Sequence, residues 1–244
     1  MANLDALIAA LRGGDSLAAS DAIRALAEID DDRARAALVE ALAGAGPLTA
    51  LAIQALARHG PKAQRFAAAA TSDPQRKLGA VAVMGQLGDL ACCVQLRRLI
   101  DEPDPLVRMT VAASLYRCGE RGGDLWSSWI CRENDLAVFA FLAAIAGGVQ
   151  LTSAALDHLE EQAVNANTPA EVRAGAVWAI AQHDIDGGTA LARRLLVDPG
   201  VAFALSSVVR RRGGPLALLI VAIRGDPATD QIADSIGLRH PGRG

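Results

Sequence analysis

Helix-start signals recur along this chain at near-constant spacing, and few sequence patterns constrain a fold so tightly. They fall at Asp15, Gly46-Pro47, Asp73-Pro74, Asp104-Pro105, Asn134-Asp135, Thr168-Pro169, Asp198-Pro199 and Asp226-Pro227, in steps of about 27 to 34 residues. A fixed period of this length with helical patterning inside it marks a repeat array, in which each unit buries its apolar face only by stacking on its neighbours. The stretch from Asp104 to Gly119 gives the pattern at its clearest. Asp104 offers a carboxylate to the free N–H groups of a first turn, and Pro105 loses no hydrogen bond there. Apolar residues follow at Val107, Val111, Leu115 and Cys118, a stripe of helical period, and Gly119 can turn the chain left-handed to end it.

Two helices fit within each period. The breaks between them are Asp30-Asp31-Asp32, His59-Gly60-Pro61, Gly88-Asp89, Gly122-Gly123, Gly147-Gly148, Asp186-Gly187-Gly188 and Gly213-Gly214-Pro215. Internal echoes support the register: Leu96-Arg97-Arg98-Leu99-Ile100 on one second helix matches Ala192-Arg193-Arg194-Leu195-Leu196 on another. Alanine supplies about a fifth of the residues and aromatics only 3%, so helices form readily and approach closely. With no run of alternating β-branched residues, the expected fold is all-α: about seven helix pairs and a partial eighth unit. Asn3 to Leu11 reads as a capping helix and Ala228 to Ile236 as the last, incomplete unit. No linker divides the chain, so a single domain over 1–238 with a frayed tail at 239–244 is expected.

Asp104-Pro105-Leu106-Val107-Arg108, Ala170-Glu171-Val172-Arg173 and Asp73-Pro74-Gln75-Arg76-Lys77, each followed by an Ala-rich apolar helix, resemble HEAT repeats. The similarity is greatest to the short bacterial type also found in phycobilin lyases. The resemblance implies a right-handed α-α superhelix, with the first helix of each pair on the convex face and the second on the concave face where partners dock. Val138 and Ala202 stand where the repeat's arginine would be, which interrupts any continuous Asp–Arg ladder.

Carried onto this chain, the resemblance places Arg33 and Arg35, Lys62 and Arg65, Arg97 and Arg98, Trp126 with Trp129 and Arg132, Asp157 with His158 and Glu161, and Arg193 and Arg194 on the concave side. Most charged residues on helices are simply solvated. The functional reading is a partly basic groove with an aromatic centre, suited to an acidic segment of another protein. Five of the eight aromatics lie between Tyr116 and Phe141. Trp126 and Trp129 share one helix face, where they either fill the core or, if exposed, anchor a partner. The helix from Leu136 to Ala146 is apolar on every side, so either further chain covers it or it forms an oligomer or partner patch bearing Phe139 and Phe141. Trp178 and Phe203 extend that patch only if they are not taken up by core packing. Arg210-Arg211-Arg212 suits a helix C-terminus, whose dipole favours positive charge.

Composition weighs against the enzymatic alternatives. A net charge of −3 gives no general attraction for nucleic acid, against the reading as a HEAT-like DNA-binding protein or alkylpurine DNA glycosylase. No His-Glu dipeptide is present to supply the iron ligands of the HEAT-like deoxyhypusine hydroxylases, His158 with Glu160 or Glu161 is a lone helical pair, and a bilin lyase role rests on fold analogy alone. The four cysteines, Cys92, Cys93, Cys118 and Cys131, form no C-x-x-C pair. The longest uncharged apolar run, Leu136 to Val149, is about 14 residues, short of the roughly 20 that span a bilayer. Expected, then, is a cytoplasmic protein–protein scaffold without cofactor or metal, open to self-association.

Overall fold

The computed structural model describes residues 3–44 and 46–212. Among these there are fourteen α-helices and no strand: α1 (Leu4–Arg12), α2 (Ser16–Leu26), α3 (Asp32–Glu40), α4 (Pro47–Arg58), α5 (Pro61–Ala70), α6 (Lys77–Leu87), α7 (Leu90–Arg97), α8 (Pro105–Arg117), α9 (Gly123–Arg132), α10 (Leu136–Ala146), α11 (Ser153–Val164), α12 (Ala170–His183), α13 (Ile185–Leu195) and α14 (Pro199–Arg212). None is long and apolar enough to cross a membrane. The helices group into two compact units that divide between Glu120 and Arg121.

In the first unit each even-numbered helix packs on the next, α2 on α4, α4 on α6 and α6 on α8. The odd-numbered helices form a parallel series, α1 to α3 to α5 to α7, and adjacent helices join the two rows. Ile23, Leu26, Leu38, Leu56, Met84 and Leu115 fill the space between, all essentially without solvent exposure. Alanines such as Ala34, Ala52, Ala63 and Ala80 are buried among them and let the helix axes come close. In the second unit α10 packs on α12 and α12 on α14, with α9 and α11 neighbouring on the other row. Residues 172 to 181 of α12 are all buried, making it the central helix of that unit.

The capping chemistry falls where the acidic starts predict it. Asp15, Asp104, Asp135 and Asp198 each accept a hydrogen bond from the backbone N–H two residues on, at 2.8–3.0 Å. Gly119 has φ of 83°, and the N–H of Glu120 reaches back to the Leu115 carbonyl at 3.0 Å, closing α8 as expected. Arg108 donates to the carbonyls of Glu102 and Pro103 at 2.8 and 3.0 Å. Arg173 donates to the Ala163 carbonyl and to Asp198, tying the end of α11 to the start of α14.

Two boundaries differ from expectation. Asp73-Pro74 does not open α6. The Asp73 carboxylate and carbonyl are taken up by a tight turn over 73–76, and the helix begins three residues later, at Lys77. Gly187-Gly188 does not break the chain either. The break is the single residue Asp184, whose carboxylate accepts from the N–H groups of Asp186 and Gly187, so both glycines lie inside α13. The turn at Gly213-Gly214-Pro215, the start at Asp226-Pro227, the closing segment to Ile236, the 239–244 tail and the side chains of Arg210-Arg211-Arg212 lie outside what is described.

Candidate functional site

The odd-numbered row of the first unit carries a network of charges built from residues that the acidic break and the two following helices bring together. Asp30, Asp31 and Asp32 lead into α3, and one turn further on Arg35 lies buried against them. Its guanidinium donates to Asp30 at 2.8 Å and to Asp32 at 2.7 Å, and lies 3.4 Å from Nδ1 of His59. Lys62 and Arg65 on α5 reach back to Asp30 and Asp32 respectively. Phe66 lies under both arginines, with Arg65 4.9 Å and Arg35 5.9 Å from its ring centre. Asp5 of α1 pairs with Arg33, and Arg12 pairs with Glu40 at 2.8 Å.

These contacts set the ionisation of the carboxylates. Hydrogen bonds from Lys62, then Arg35, hold the Asp30 carboxyl at about 2. Asp32 is also lowered, first by Arg35 and then by Arg65. A carboxyl depressed in the folded state adds stability that is present above its ordinary value and is lost as pH falls through the depressed one. The wild-type protein should therefore lose thermal stability between about pH 4 and pH 2. Asp30→Asn should lose less over the same window, so that the two melting curves converge; a constant gap from pH 6 to pH 2 would remove Asp30 from this role.

Beside this network lies an open groove of about 860 Å³ across α3, α5 and the residues leading into α6. Ala36, Val39, Phe66 and Ala69 form an apolar strip along it. Asp32 with Arg65 and Glu40 with Asp73 and Arg76 line its rims. The rim charges are largely matched, since Asp32 holds Arg65, Arg12 holds Glu40, and Arg76 sits 3.4 Å from Asp73.

The other expected site residues fall in different surroundings. Trp126 and Trp129 are 0% and 1% exposed and stack with ring centres 6.0 Å apart, so they are core of the second unit and not surface anchors. Both belong to the buried side of α9, with Ser127 and Ile130, and α9 packs on α10 and α11. Trp129 also donates to Glu133 at 3.3 Å. Arg97 pairs with the buried carboxylate of Glu120, a partner that residue spacing did not reveal. Arg98 is exposed and 3.5 Å from Gln95. Arg132, Arg193 and Arg194 are exposed in the second unit. His158 is half-buried, edge-on to Phe139 at 5.7 Å and 3.4 Å from Glu161.

Of the apolar patch, Phe139 is buried by its packing, whereas Phe141 is half-buried and Leu136 exposed. Trp178 is 8% exposed and packs over Gly147, while Phe203 on α14 is 65% exposed. Burial also governs the thiols. It pushes Cys92 up to about 12 and Cys118 up to about 11, leaving little thiolate for nucleophilic or metal chemistry at neutral pH. No cluster of histidine, cysteine or carboxylate side chains with metal-holding geometry occurs among the described residues.

Helix order and grooves define an all-helical protein, with stacked pairs in each of two units. Compared with known proteins, the chain matches no family model and no curated relative.

Proposed function

We propose that the chain is a non-enzymatic scaffold of HEAT-like repeats, an α-solenoid that holds another protein on the odd-helix face of its first unit. The observation that carries this reading is the groove across α3 and α5, where the apolar residues Ala36, Val39, Phe66 and Ala69 lie among charges matched within the chain. Ala36 and Ala69 are exposed, and the strip they form admits close approach by a helical or extended segment. Arg33, Arg35, Lys62, Arg65 and Arg97 are engaged by the chain's own carboxylates. That favours a segment with an apolar stripe over a strongly acidic one, and it leaves few cations for a phosphate backbone.

Replacing Ala36 and Ala69 together by Arg should reduce capture of the partner from native extract by at least about tenfold, a loss of the order seen when interface centres are blocked. Helix content and melting temperature should stay near wild type, because both side chains already face solvent. Recovery of the same proteins by both forms in quantitative mass spectrometry would refute the assignment.

A further inference from the structure

In the middle of α12 stands a glycine that packing does not explain. Gly175 is buried, and glycine in a helix interior is about 1 kcal/mol less favourable than alanine. Three other glycines of this unit sit where nothing larger fits. A Cβ at Gly123 would lie 1.9 Å from the Gln150 carbonyl, one at Gly147 2.5 Å from the Trp178 ring, and one at Gly188 2.6 Å from Ala181. At Gly175 a Cβ would meet nothing within 4 Å. Its φ is not positive, so the backbone does not require glycine either. What glycine does at this position is keep a space empty.

That space is a hollow of about 350 Å³ among α10, α12 and α14. Ala140, Ala144 and Gly175 provide small-residue walls, and Trp178 and Phe203 bring in the aromatic surface. Trp178 is held in place by its packing over Gly147, whereas Phe203 is largely exposed. Glu171, one helical turn before Gly175, is the only ionisable residue among the described residues of the lining. It is exposed and forms no ion pair with another described residue. The volume suits a small molecule with a single ring. Its chemistry, small residues and Ser207 flanked by two aromatics with a carboxylate that has no ion pair among the described residues, suits an organic cation.

We propose that this hollow binds a small arylalkyl amine, with the ring over Gly175 beside Trp178 and Phe203 and the ammonium on Glu171. The site lies in the second unit and stands apart from the scaffold reading, which rests on the groove of the first. Titration of the full chain with 2-phenylethylammonium, followed by calorimetry and by tryptophan fluorescence, tests it. Expected is saturable one-to-one binding, with 2-phenylethanol at least about tenfold weaker and phenylacetate weaker still, since each loses the charge attraction. Glu171→Gln should bring the amine down to the level of the alcohol. Gly175→Leu should abolish binding by filling the hollow, and Phe203→Ala, at an exposed position that folding tolerates, should weaken it.

Equal binding of the amine, the alcohol and the carboxylate would overturn the proposal. So would amine binding that survives both Glu171→Gln and Phe203→Ala, or no binding to the wild-type chain at millimolar amine. The Ala36 and Ala69 variant should bind the amine normally, so the two assignments fail separately.

Discussion

Trp126→Ala is expected to cost the folded protein about 3 to 5 kcal/mol, the range for emptying a large aromatic site in a packed core. The side chain is fully buried, and its stacking partner Trp129 is almost as deep. Removing one ring therefore loses its own burial and strips one face of the other, an aromatic contact that adds to the area term. Nearby backbone has little freedom to close the gap. The N–H of Thr152 is held by the buried Ser127 hydroxyl at 2.9 Å, and Gly123 is pressed against the Gln150 carbonyl, so α9 is pinned on both sides of Trp126. Urea unfolding followed by circular dichroism gives the measurement. A loss below about 1 kcal/mol, the level of a surface change, would show that the two rings do not form core. The same result would restore them as partner anchors, because an exposed tryptophan shows its value in binding and not in unfolding.

The tryptophans illustrate which features were legible from residues alone. Helix periods, the acidic caps at Asp15, Asp104, Asp135 and Asp198, and the left-handed stop at Gly119 all follow from local chemistry. Local chemistry is visible in a single stretch of chain. Whether a side chain is core or surface depends on the helix that packs over it. Trp126 and Trp129 lie on a common face either way, and only their neighbours α10 and α11 decide its fate. The same holds for Arg97, whose partner Glu120 is 23 residues away on the far side of α8. The unexpectedly late start of α6 has a local cause, since Asp73 can cap a turn as readily as a helix. Arg33, Arg35, Lys62 and Arg65 were legible as a basic cluster, yet their function as a surface changes once Asp5, Asp30 and Asp32 occupy them.

Gly188→Ala and Gly175→Ala should move stability in opposite directions, although both change a helical, buried glycine of the second unit to the best helix former. Propensity alone predicts a gain of about 1 kcal/mol at each. At Gly188 the new methyl would fall 2.6 Å from both Cα and Cβ of Ala181 and 2.8 Å from its backbone nitrogen. Those are atoms of α12 itself, so no rotamer change relieves the clash and α13 must shift away from the central helix. Overpacking of this kind costs about 1 to 3 kcal/mol, more than the propensity gain offsets. At Gly175 the methyl enters open space, nothing opposes the gain, and the unfolded chain loses freedom as well. Thermal unfolding should place Gly175→Ala above wild type and Gly188→Ala below it, with each kcal/mol worth roughly 2 to 4 °C in a chain of this size. Two gains would mean that α12 and α13 are farther apart than the Ala181 contact requires. Two losses would mean that the space beside Gly175 is filled, and the amine site would then have no room for its ring.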